Sequence, residues 1–241
     1  TIIKCIIDIV EEQKRNYVLC APTGRAAKRI TQTTGKEAKT LHRLLEISKI
    51  DDNDIDMFYE YQVKQIEDEV VIVDEASMID IMMMNNLVKG VKPSTQIIIV
   101  GDVNQLPSVG PGSVLKDIIQ SDIVPTVELK QIYRQSAKSD IIVNAHKVND
   151  GVYPEFKSKE TDLFFIPTKT IEQTVSEISS LIAYRLETYA PLDVLKDLQI
   201  LTPVKKTELG TGELNATIQE ILNKKSIEKN QVEHMGRIFR E

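Results

Sequence analysis

Cysteine and histidine are scarce in this sequence, and neither has the spacing that a metal site needs. The 241 residues contain 2 cysteines and 3 histidines, and these lie far apart instead of forming the paired motifs of zinc proteins. Cys5 and Cys20 both lie in largely apolar stretches of the sequence, so we expect two buried, reduced structural thiols and no disulfide framework. This usage is typical of a protein of the reducing cytoplasm.

Long hydrophobic runs are absent as well, which excludes a transmembrane helix. The sequence begins Thr1-Ile2-Ile3-Lys4 and has no secretory signal layout, so we interpret it as a piece of a longer protein. Its hydrophobic content of 41% and charged content of 27% suit an ordinary globular fold of one or two domains. We therefore expect no association with a membrane.

Acidic residues outnumber basic ones, 36 to 30, and the two are unevenly distributed along the chain. The net charge of −6 and the pI of about 5.3 weigh against nucleic-acid binding. However, the segment from Lys14 to Arg43 holds eight basic residues against one acid, and the segment from Asp51 to Asp80 holds eleven acids against one lysine. Such asymmetry can steer a phosphate backbone to one face. Two ordinary solvated helices would give the same pattern, so charge alone leaves both interpretations open.

Helical and strand patterns alternate through the first half of the chain. This alternation predicts an α/β fold with a parallel sheet that is covered on both faces. The acidic stretch 48–69 is predicted to be an irregular surface excursion. Strand patterns lie at 17–21, 70–73 and 96–100, and helical patterns lie at 2–15, 25–33, 40–47, 79–88 and 113–120.

A domain boundary is predicted near residue 128, because an extended, proline-containing stretch interrupts the alternation there. The two predicted domains are 1–127 and 128–241. The second is predicted to be another α/β unit. Its helical patterns lie at 140–148, 171–189 and 213–223, and its strand patterns lie at 163–166 and 198–202.

Two adjacent acids, Asp74 and Glu75, follow the continuous apolar strand Val70-Val71-Ile72-Val73. Open α/β sheets bind their ligands at the carboxyl ends of the strands, where these carboxylates are predicted to lie. There the first can hold Mg²⁺, directly or through water, and the second can polarise an attacking water. A strand end with a helix-capping acid has the same sequence pattern, so the pair alone does not distinguish a catalytic site from a structural cap.

A second polar motif follows the predicted strand 96–100, where Gly101-Asp102 leads to Gln105. In a parallel sheet this motif lies near the edge that carries Asp74. A glutamine there can hydrogen-bond a γ-phosphate and transmit its presence to the loop 107–112. A plain strand-to-loop turn is the alternative.

Basic residues accompany two further turns. Pro22-Thr23-Gly24 leads into a helix that begins with Arg25, and the backbone N–H groups of a helix N-terminus favour phosphate. Arg134 lies just past the predicted boundary, where an arginine from a second domain can stabilise a transferring phosphoryl group. An ordinary amphipathic helix and a surface arginine are the alternatives.

Taken together, the order and spacing of these motifs resemble the RecD/TraA-type helicases of superfamily 1, the family that includes the exodeoxyribonuclease V alpha subunit. The resemblance covers roughly residues 1 to 223. The segments that carry it are 21–29 (APTGRAAKR), 40–45 (TLHRLL), 74–78 (DEASM), 101–112 (GDVNQLPSVGPG), 133–135 (YRQ) and 201–206 (LTPVKK), followed by Gly210 and Leu214-Asn215.

The resemblance implies two RecA-like domains, ATP and Mg²⁺ as cofactors, and 5′-to-3′ movement on single-stranded DNA in recombination and repair. It implies that Asp74 positions Mg²⁺ and that Glu75 activates water. It also implies that Gln105 senses the γ-phosphate and that Arg134 reaches it from the second domain. Other subunits of a nuclease-helicase complex are implied partners. The residues implied to contact DNA are Pro22, Thr23, Arg25, Thr40, His42 and Arg43.

The Gly-rich phosphate-binding loop G-x-x-x-x-G-K-[ST] occurs nowhere in the 241 residues. In the family this loop precedes the first motor helix. We therefore expect the full-length protein to be an ATP-hydrolysing DNA helicase. We expect the 241 residues alone to be inactive, with the first domain lacking its phosphate loop and the second domain incomplete.

Two other functions stay open. One is a metal-dependent nuclease built on Asp74, Glu75 and Asp102, which cleavage of DNA without ATP would favour. The other is a non-catalytic DNA-binding module, which the absence of ATPase activity after restoring the phosphate loop would favour.

Overall fold

The computed structural model describes residues 2–47, 63–129, 139–157, 159–189, 191–226, 229–234 and 237–240. The chain divides into two compact units, Thr1–Tyr133 and Arg134–Glu241. Most of the predicted acidic excursion lies outside the described residues. Within them, no helix is both long and apolar enough to cross a membrane.

A four-stranded parallel sheet forms the centre of the first unit. Its strands lie in the order β2-β1-β3-β4, and every neighbouring pair is parallel. The α/β class and the parallel sheet that the sequence predicts are therefore confirmed. The strands are β1 (Tyr17–Ala21), β2 (Ala38–Thr40), β3 (Val70–Val73) and β4 (Gln96–Ile99). The helices are α1 (Ile2–Glu12), α2 (Gly24–Thr34), α3 (Leu41–Leu44), α4 (Ile81–Gly90) and α5 (Val114–Gln120), with a 3₁₀ turn at Ala76–Met78.

Helices cover both faces of this sheet, which explains why β3 is apolar at every position. Val70 and Ile72 pack into one core cluster with the buried side chains of α1 and α2. Val71 and Val73 pack into another, with Leu41 of α3 and side chains of α4. All four β3 side chains are buried. A strand buried on both faces needs a continuous apolar run instead of an alternating one.

Strand β2 was not expected from the sequence. It is only three residues long, its sequence is Ala-Lys-Thr, and it forms the edge of the sheet beside β1. Its burial pattern mixes half-buried and exposed residues. Such a short, polar segment has no periodicity that separates it from a loop. It pairs because the helix α2 that precedes it returns the chain to the sheet edge.

The second unit is mostly helical. An antiparallel pair of strands, β5 and β6, is its only described sheet. The predicted helix 171–189 is present as a continuous run in which a π-helical turn joins α7 to α8. The elements are α6 (Asp140–Asn149), α7 (Ile171–Ser180), the π-helical turn Leu181–Arg185, α8 (Leu186–Tyr189), α9 (Val194–Asp197), α10 (Thr211–Leu222), β5 (Gln231–His234) and β6 (Arg237–Arg240).

The strands predicted at 163–166 and 198–202 are wrong, because the chain has no strand structure there. Phe164 and Phe165 are more than half exposed, and Leu201 is almost fully exposed. A strand needs a neighbour for its backbone hydrogen bonds, and no described strand pairs with either segment. A short apolar run does not specify whether such a neighbour exists.

The two cysteines have opposite environments, which corrects the prediction that both are buried. Cys20 in β1 is fully buried, and its Sγ donates to the Ile72 carbonyl oxygen at 3.5 Å. Cys5 is exposed, because it lies on the face of α1 opposite the buried Ile7 and Val10. Burial raises the pKa of the Cys20 thiol to about 12.

This contrast predicts selective alkylation. Because the thiolate is the reactive form, a pKa near 12 leaves roughly one Cys20 thiol in ten thousand reactive at pH 8. Iodoacetamide followed by mass spectrometry should label one thiol in the native protein and two in denaturant. The Cys5→Ser variant should take up no label while folded. Equal labelling rates for both thiols in the native protein would contradict the burial of Cys20.

Candidate functional site

The carboxyl end of β1 leads directly into a capped helix. Thr23 adopts an extended conformation, and its hydroxyl oxygen accepts a hydrogen bond from the Ala26 backbone N–H at 3.2 Å. That bond satisfies one of the free donors at the start of α2. Ala27 and Ile30 face the core, whereas the basic residues of α2 are exposed. These exposed basic residues are Arg25, Lys28 and Arg29.

The carboxyl end of β2 repeats the arrangement beside it. Thr40 accepts from the Arg43 backbone N–H at 3.2 Å and begins α3. Leu41 anchors this helix in the core, which leaves His42 and Arg43 exposed. Ala21 and Thr40 are register partners in the sheet. The six residues predicted to contact DNA therefore lie at two adjacent strand ends.

Asp74, the predicted Mg²⁺ ligand, and Glu75, the predicted catalytic residue, stand at the carboxyl end of β3, and both are half-buried. The Asp74 N–H donates to the Cys20 carbonyl at 3.0 Å, which prolongs the β1–β3 pairing. Asp74 Oδ1 in turn accepts the Glu75 N–H at 2.9 Å. One Asp74 oxygen is therefore engaged in fixing the turn, and the other accepts no hydrogen bond from the described residues.

Glu75 adopts a left-handed backbone conformation, with φ 54° and ψ 38°. This conformation costs a non-glycine residue roughly 1–2 kcal/mol. It persists because its neighbours are fixed: the Ala76 N–H donates to the Val100 carbonyl at 3.0 Å. Strained residues of this kind cluster at active sites. Lys14, Glu46, Asp122 and Glu160 also have φ between 52° and 56°, so this conformation alone does not mark Glu75 as catalytic.

The loop after β4 brings Gln105 to the same edge of the sheet. The Val100 N–H donates to the Val73 carbonyl at 2.8 Å, so the chain runs beside β3 up to this point. Asp102 Oδ1 then accepts the Asn104 N–H at 2.9 Å, and the Gln105 side-chain amide lies 3.5 Å from Asp102 Oδ2. At that distance the contact is weak. The Gln105 side chain is exposed and lightly held.

Gly101 lets the end of β4 approach the turn after Glu75, a role that sequence reasoning missed. A Cβ at this position would lie 2.8 Å from Leu115 Cδ2 and 3.1 Å from the backbone nitrogens of both Ala76 and Ser77. Those backbone atoms cannot move without disturbing the 3₁₀ turn. The Gly-Asp pair in the sequence was the available signal.

Ser77 is a second residue that sequence reasoning missed. Its Oγ is buried and has no hydrogen-bond partner in the described part of the chain. Ser77 and Gln105 both line a shallow cavity of about 190 Å³, together with residues of α5. A buried hydroxyl without a partner is uncommon in native proteins. The cavity is part of the same sheet-edge region as the two acids.

Two predictions about this site remain: the position of Arg134 and the acidic metal cluster of the nuclease alternative. Arg134 lies outside the described residues, so its place relative to Glu75 stays a prediction. Within the described ranges, no group of three or more acidic, histidine or cysteine side chains could hold a metal ion. Asp74, Glu75 and Asp102 therefore do not form the cluster that the nuclease alternative requires.

Comparisons with known proteins give a consistent set of relatives. A family model described as an AAA domain matches residues 1–111. The ATP-dependent RecD2 DNA helicase of Deinococcus radiodurans is 33% identical over 227 residues, which cover 92% of this chain and 29% of that protein. The RecBCD enzyme subunit RecD of Mycolicibacterium smegmatis is 32% identical over 150 residues, which cover 55% of this chain and 26% of that protein. The chain thus spans less than a third of either relative.

Solved helicase structures are similar at lower identity. Bacteroides Pif1 bound to ssDNA is 20% identical with a TM-score of 0.37, covering 71% of this chain and 48% of that chain. Pif1 helicase from Candida albicans is 19% identical with a TM-score of 0.42, covering 76% of this chain and 48% of that chain.

Proposed function

We propose that this chain, which belongs to the RecD-type DNA helicases, is part of an ATP-driven motor that moves 5′-to-3′ along single-stranded DNA. One observation carries the proposal. A single edge of the parallel sheet presents the β3 acids, the Gln105 loop and the two basic, capped helix starts. The carboxylates can bind Mg²⁺ and accept a proton from water, and the basic helix starts can bind the phosphates of a nucleic-acid backbone.

The nucleotide half of the proposal uses the β3 and β4 strand ends. Asp74 would hold Mg²⁺, because Mg²⁺ is commonly bound by one or two carboxylates together with substrate phosphates and waters. When bound, the ion neutralises charge that develops on the phosphates. Glu75 would accept a proton from the attacking water, and Gln105 would hydrogen-bond the γ-phosphate. Arg134 would reach the same phosphate from the second unit.

The DNA half uses the β1 and β2 strand ends. Exposed arginines flank two helix starts there, and a single strand laid across both would meet Pro22 and Thr23 first and then His42. Arg25 and Arg43 would neutralise backbone phosphates. Such contacts position the strand without reading its sequence.

Removing both arginines should therefore flatten the salt dependence of DNA binding. Each phosphate neutralised on a single strand contributes about 0.7 to the slope of log K against log salt, so Arg25→Ala with Arg43→Ala should lower it by about 1.4. Fluorescence anisotropy of the full-length protein with a labelled oligonucleotide measures this slope. The matched control is Lys224→Ala with Lys225→Ala, which removes the same charge from exposed positions of the second unit. A slope equal to that of the control pair would refute this placement of the strand.

Nucleotide affinity should be weak in the 241-residue chain by itself. Triphosphate binding in motors of this type relies on the backbone N–H groups and the lysine of a Gly-rich loop, and these residues contain no such loop. The β3 and β4 ends contribute mainly carboxylates, which repel a polyphosphate. Calorimetry with a non-hydrolysable ATP analogue and Mg²⁺ should detect binding only after the upstream residues are restored, so that the Gly-Lys-Thr of the loop ends at Thr1. Micromolar binding by the 241 residues would show that the nucleotide site lies elsewhere.

The wider role proposed is DNA recombination and repair, either alone or with other subunits, because several relatives carry the name RecBCD enzyme subunit RecD. A strand-displacement assay with the full-length protein tests the motor. Duplexes with a 5′ tail should be unwound in the presence of ATP, whereas those with a 3′ tail should not. Divalent-metal cleavage without ATP would favour a nuclease instead. Binding without unwinding or ATP hydrolysis would favour a non-catalytic module.

A further inference from the structure

The loop that follows Gln105 is held in an unusual way for an apolar segment. Leu106 is 87% exposed and Val109 is fully exposed. Hydrophobic burial is ordinarily the main contribution that fixes a chain segment, and these two side chains contribute almost none. Contacts of another kind must therefore hold the loop.

Polar contacts close the loop on itself and attach it to the start of α4. Ser108 Oγ lies 3.0 Å from the Gly110 carbonyl oxygen and 3.1 Å from that of Gly112, and its hydroxyl donates to this pair. The Ile81 N–H, at the first position of α4, donates to the Pro111 carbonyl at 2.9 Å. A helix leaves its first N–H groups without intrahelical partners. Here the loop supplies one.

Gly110 meets the capping residue of the same helix. A Cβ on Gly110 would lie 2.0 Å from Asp80 Oδ2 and 2.8 Å from Asp80 Cβ. The Asp80 carboxylate cannot simply rotate away, because its Oδ1 caps α4 by accepting the Met83 N–H at 2.7 Å. Only glycine fits at position 110 while Asp80 keeps its cap. We call the Asp80–Gly110 contact, with the Ile81–Pro111 hydrogen bond beside it, the clasp.

The two residues of the clasp are each five positions after a residue of the proposed nucleotide site, Glu75 or Gln105. Asp80 is five residues after Glu75, and the connecting chain is the 3₁₀ turn Ala76–Met78. Gly110 is five residues after Gln105. The clasp therefore joins the two strand-end loops into one closed path, at the place where Gln105 itself is held by only a weak contact.

We propose that Asp80 and Gly110 are positioning residues that fix the Gln105 loop relative to Glu75 and thereby tie the loop's exposed apolar tip to the nucleotide site. This inference rests on the proposed function, because it assigns a role to that site. Displacing the loop should slow ATP turnover on DNA without weakening nucleotide binding. Interactions realised only in the transition state change kcat and leave KM alone.

The test is Gly110→Ala in the full-length protein. Turnover on single-stranded DNA should fall at least tenfold while the KM for ATP stays within threefold of wild type. Asp80→Ser keeps a capping hydroxyl but loses the carboxylate oxygen that lies against Gly110, so its turnover should fall between those of wild type and Gly110→Ala. Combined with Gly110→Ala it removes the Oδ2 atom at 2.0 Å but keeps Asp80 Cβ at 2.8 Å, so the double variant should lose less turnover than the two single losses combined. Gly212→Ala is the control, because nothing lies within 4 Å of a Cβ there.

Amide hydrogen exchange separates failure of the clasp from failure of the motor proposal. Gly110→Ala should speed exchange of the Ile81 amide, with or without ATPase activity. If the wild-type protein hydrolyses no ATP, the proposed function is wrong. The exchange rate of the Ile81 amide then tests the clasp independently of turnover. Unchanged exchange would overturn the clasp. Faster exchange with unchanged kcat, or a double variant whose losses simply add, would overturn its positioning role.

Discussion

Replacing Glu75 by glutamine is expected to nearly abolish ATP turnover in the full-length protein while leaving ATP binding intact. The amide keeps the size of the side chain and spares Asp74, the proposed Mg²⁺ ligand, but it cannot accept the proton of the attacking water. A positioned general base contributes about 10²–10⁴-fold to a rate. A steady-state assay on single-stranded DNA, with nucleotide affinity measured separately, gives both quantities.

Two comparisons make this Glu75→Gln result specific. Glu187→Gln makes the same chemical change in α8 of the second unit and should leave turnover unchanged. Unfolding by urea should show that Glu75→Gln is no less stable than wild type, because the substitution preserves the backbone bonds that fix the turn. Hydrolysis at the wild-type rate by Glu75→Gln would remove Glu75 from the catalytic role.

Replacing Arg134 by alanine is expected to cause a loss of similar or greater size. An arginine that reaches the transferring phosphoryl group from a second domain contributes about 10³–10⁵-fold to turnover. Its charge matters most in the transition state, so ATP affinity should change far less than kcat. Arg134→Lys should restore only part of the rate, because an ammonium cannot form the two parallel hydrogen bonds of a guanidinium.

Arg185→Ala is the matched control for the Arg134 experiment. Arg185 forms an exposed ion pair with Glu177 in the same unit, and such pairs contribute little to stability. Its loss should leave turnover within twofold of wild type. If Arg134→Ala and Arg185→Ala behave alike, Arg134 is an ordinary surface arginine.

Burial on two faces explains which parts of the fold could be predicted from sequence. Strand β3 is four apolar residues covered by helices on both sides, so its sequence alone indicates a parallel sheet. Strand β2 has no such signal, because it is a short edge strand that pairs with only one neighbour. The prediction of a strand at 163–166 failed for the opposite reason, because this run is apolar but no described strand lies beside it.

The candidate site also has parts that the sequence predicts and parts that it does not. Acids, amides and basic residues at strand ends could be predicted, because the parallel sheet itself brings successive strand ends to one edge. The clasp could not, because Gly110 and Asp80 are thirty residues apart and a glycine gives no sign of what excludes a side chain from its position. The left-handed conformation of Glu75 was equally hidden. Both depend on tertiary contacts that no local pattern encodes.

The most direct test of the central claim, that this sheet edge is the site of a DNA-dependent ATPase motor, is ATP hydrolysis by the full-length protein with and without single-stranded DNA. We predict turnover that rises strongly when DNA is added and that Glu75→Gln nearly abolishes in both conditions. Hydrolysis that ignores DNA, or DNA binding with no hydrolysis under either condition, would contradict the claim.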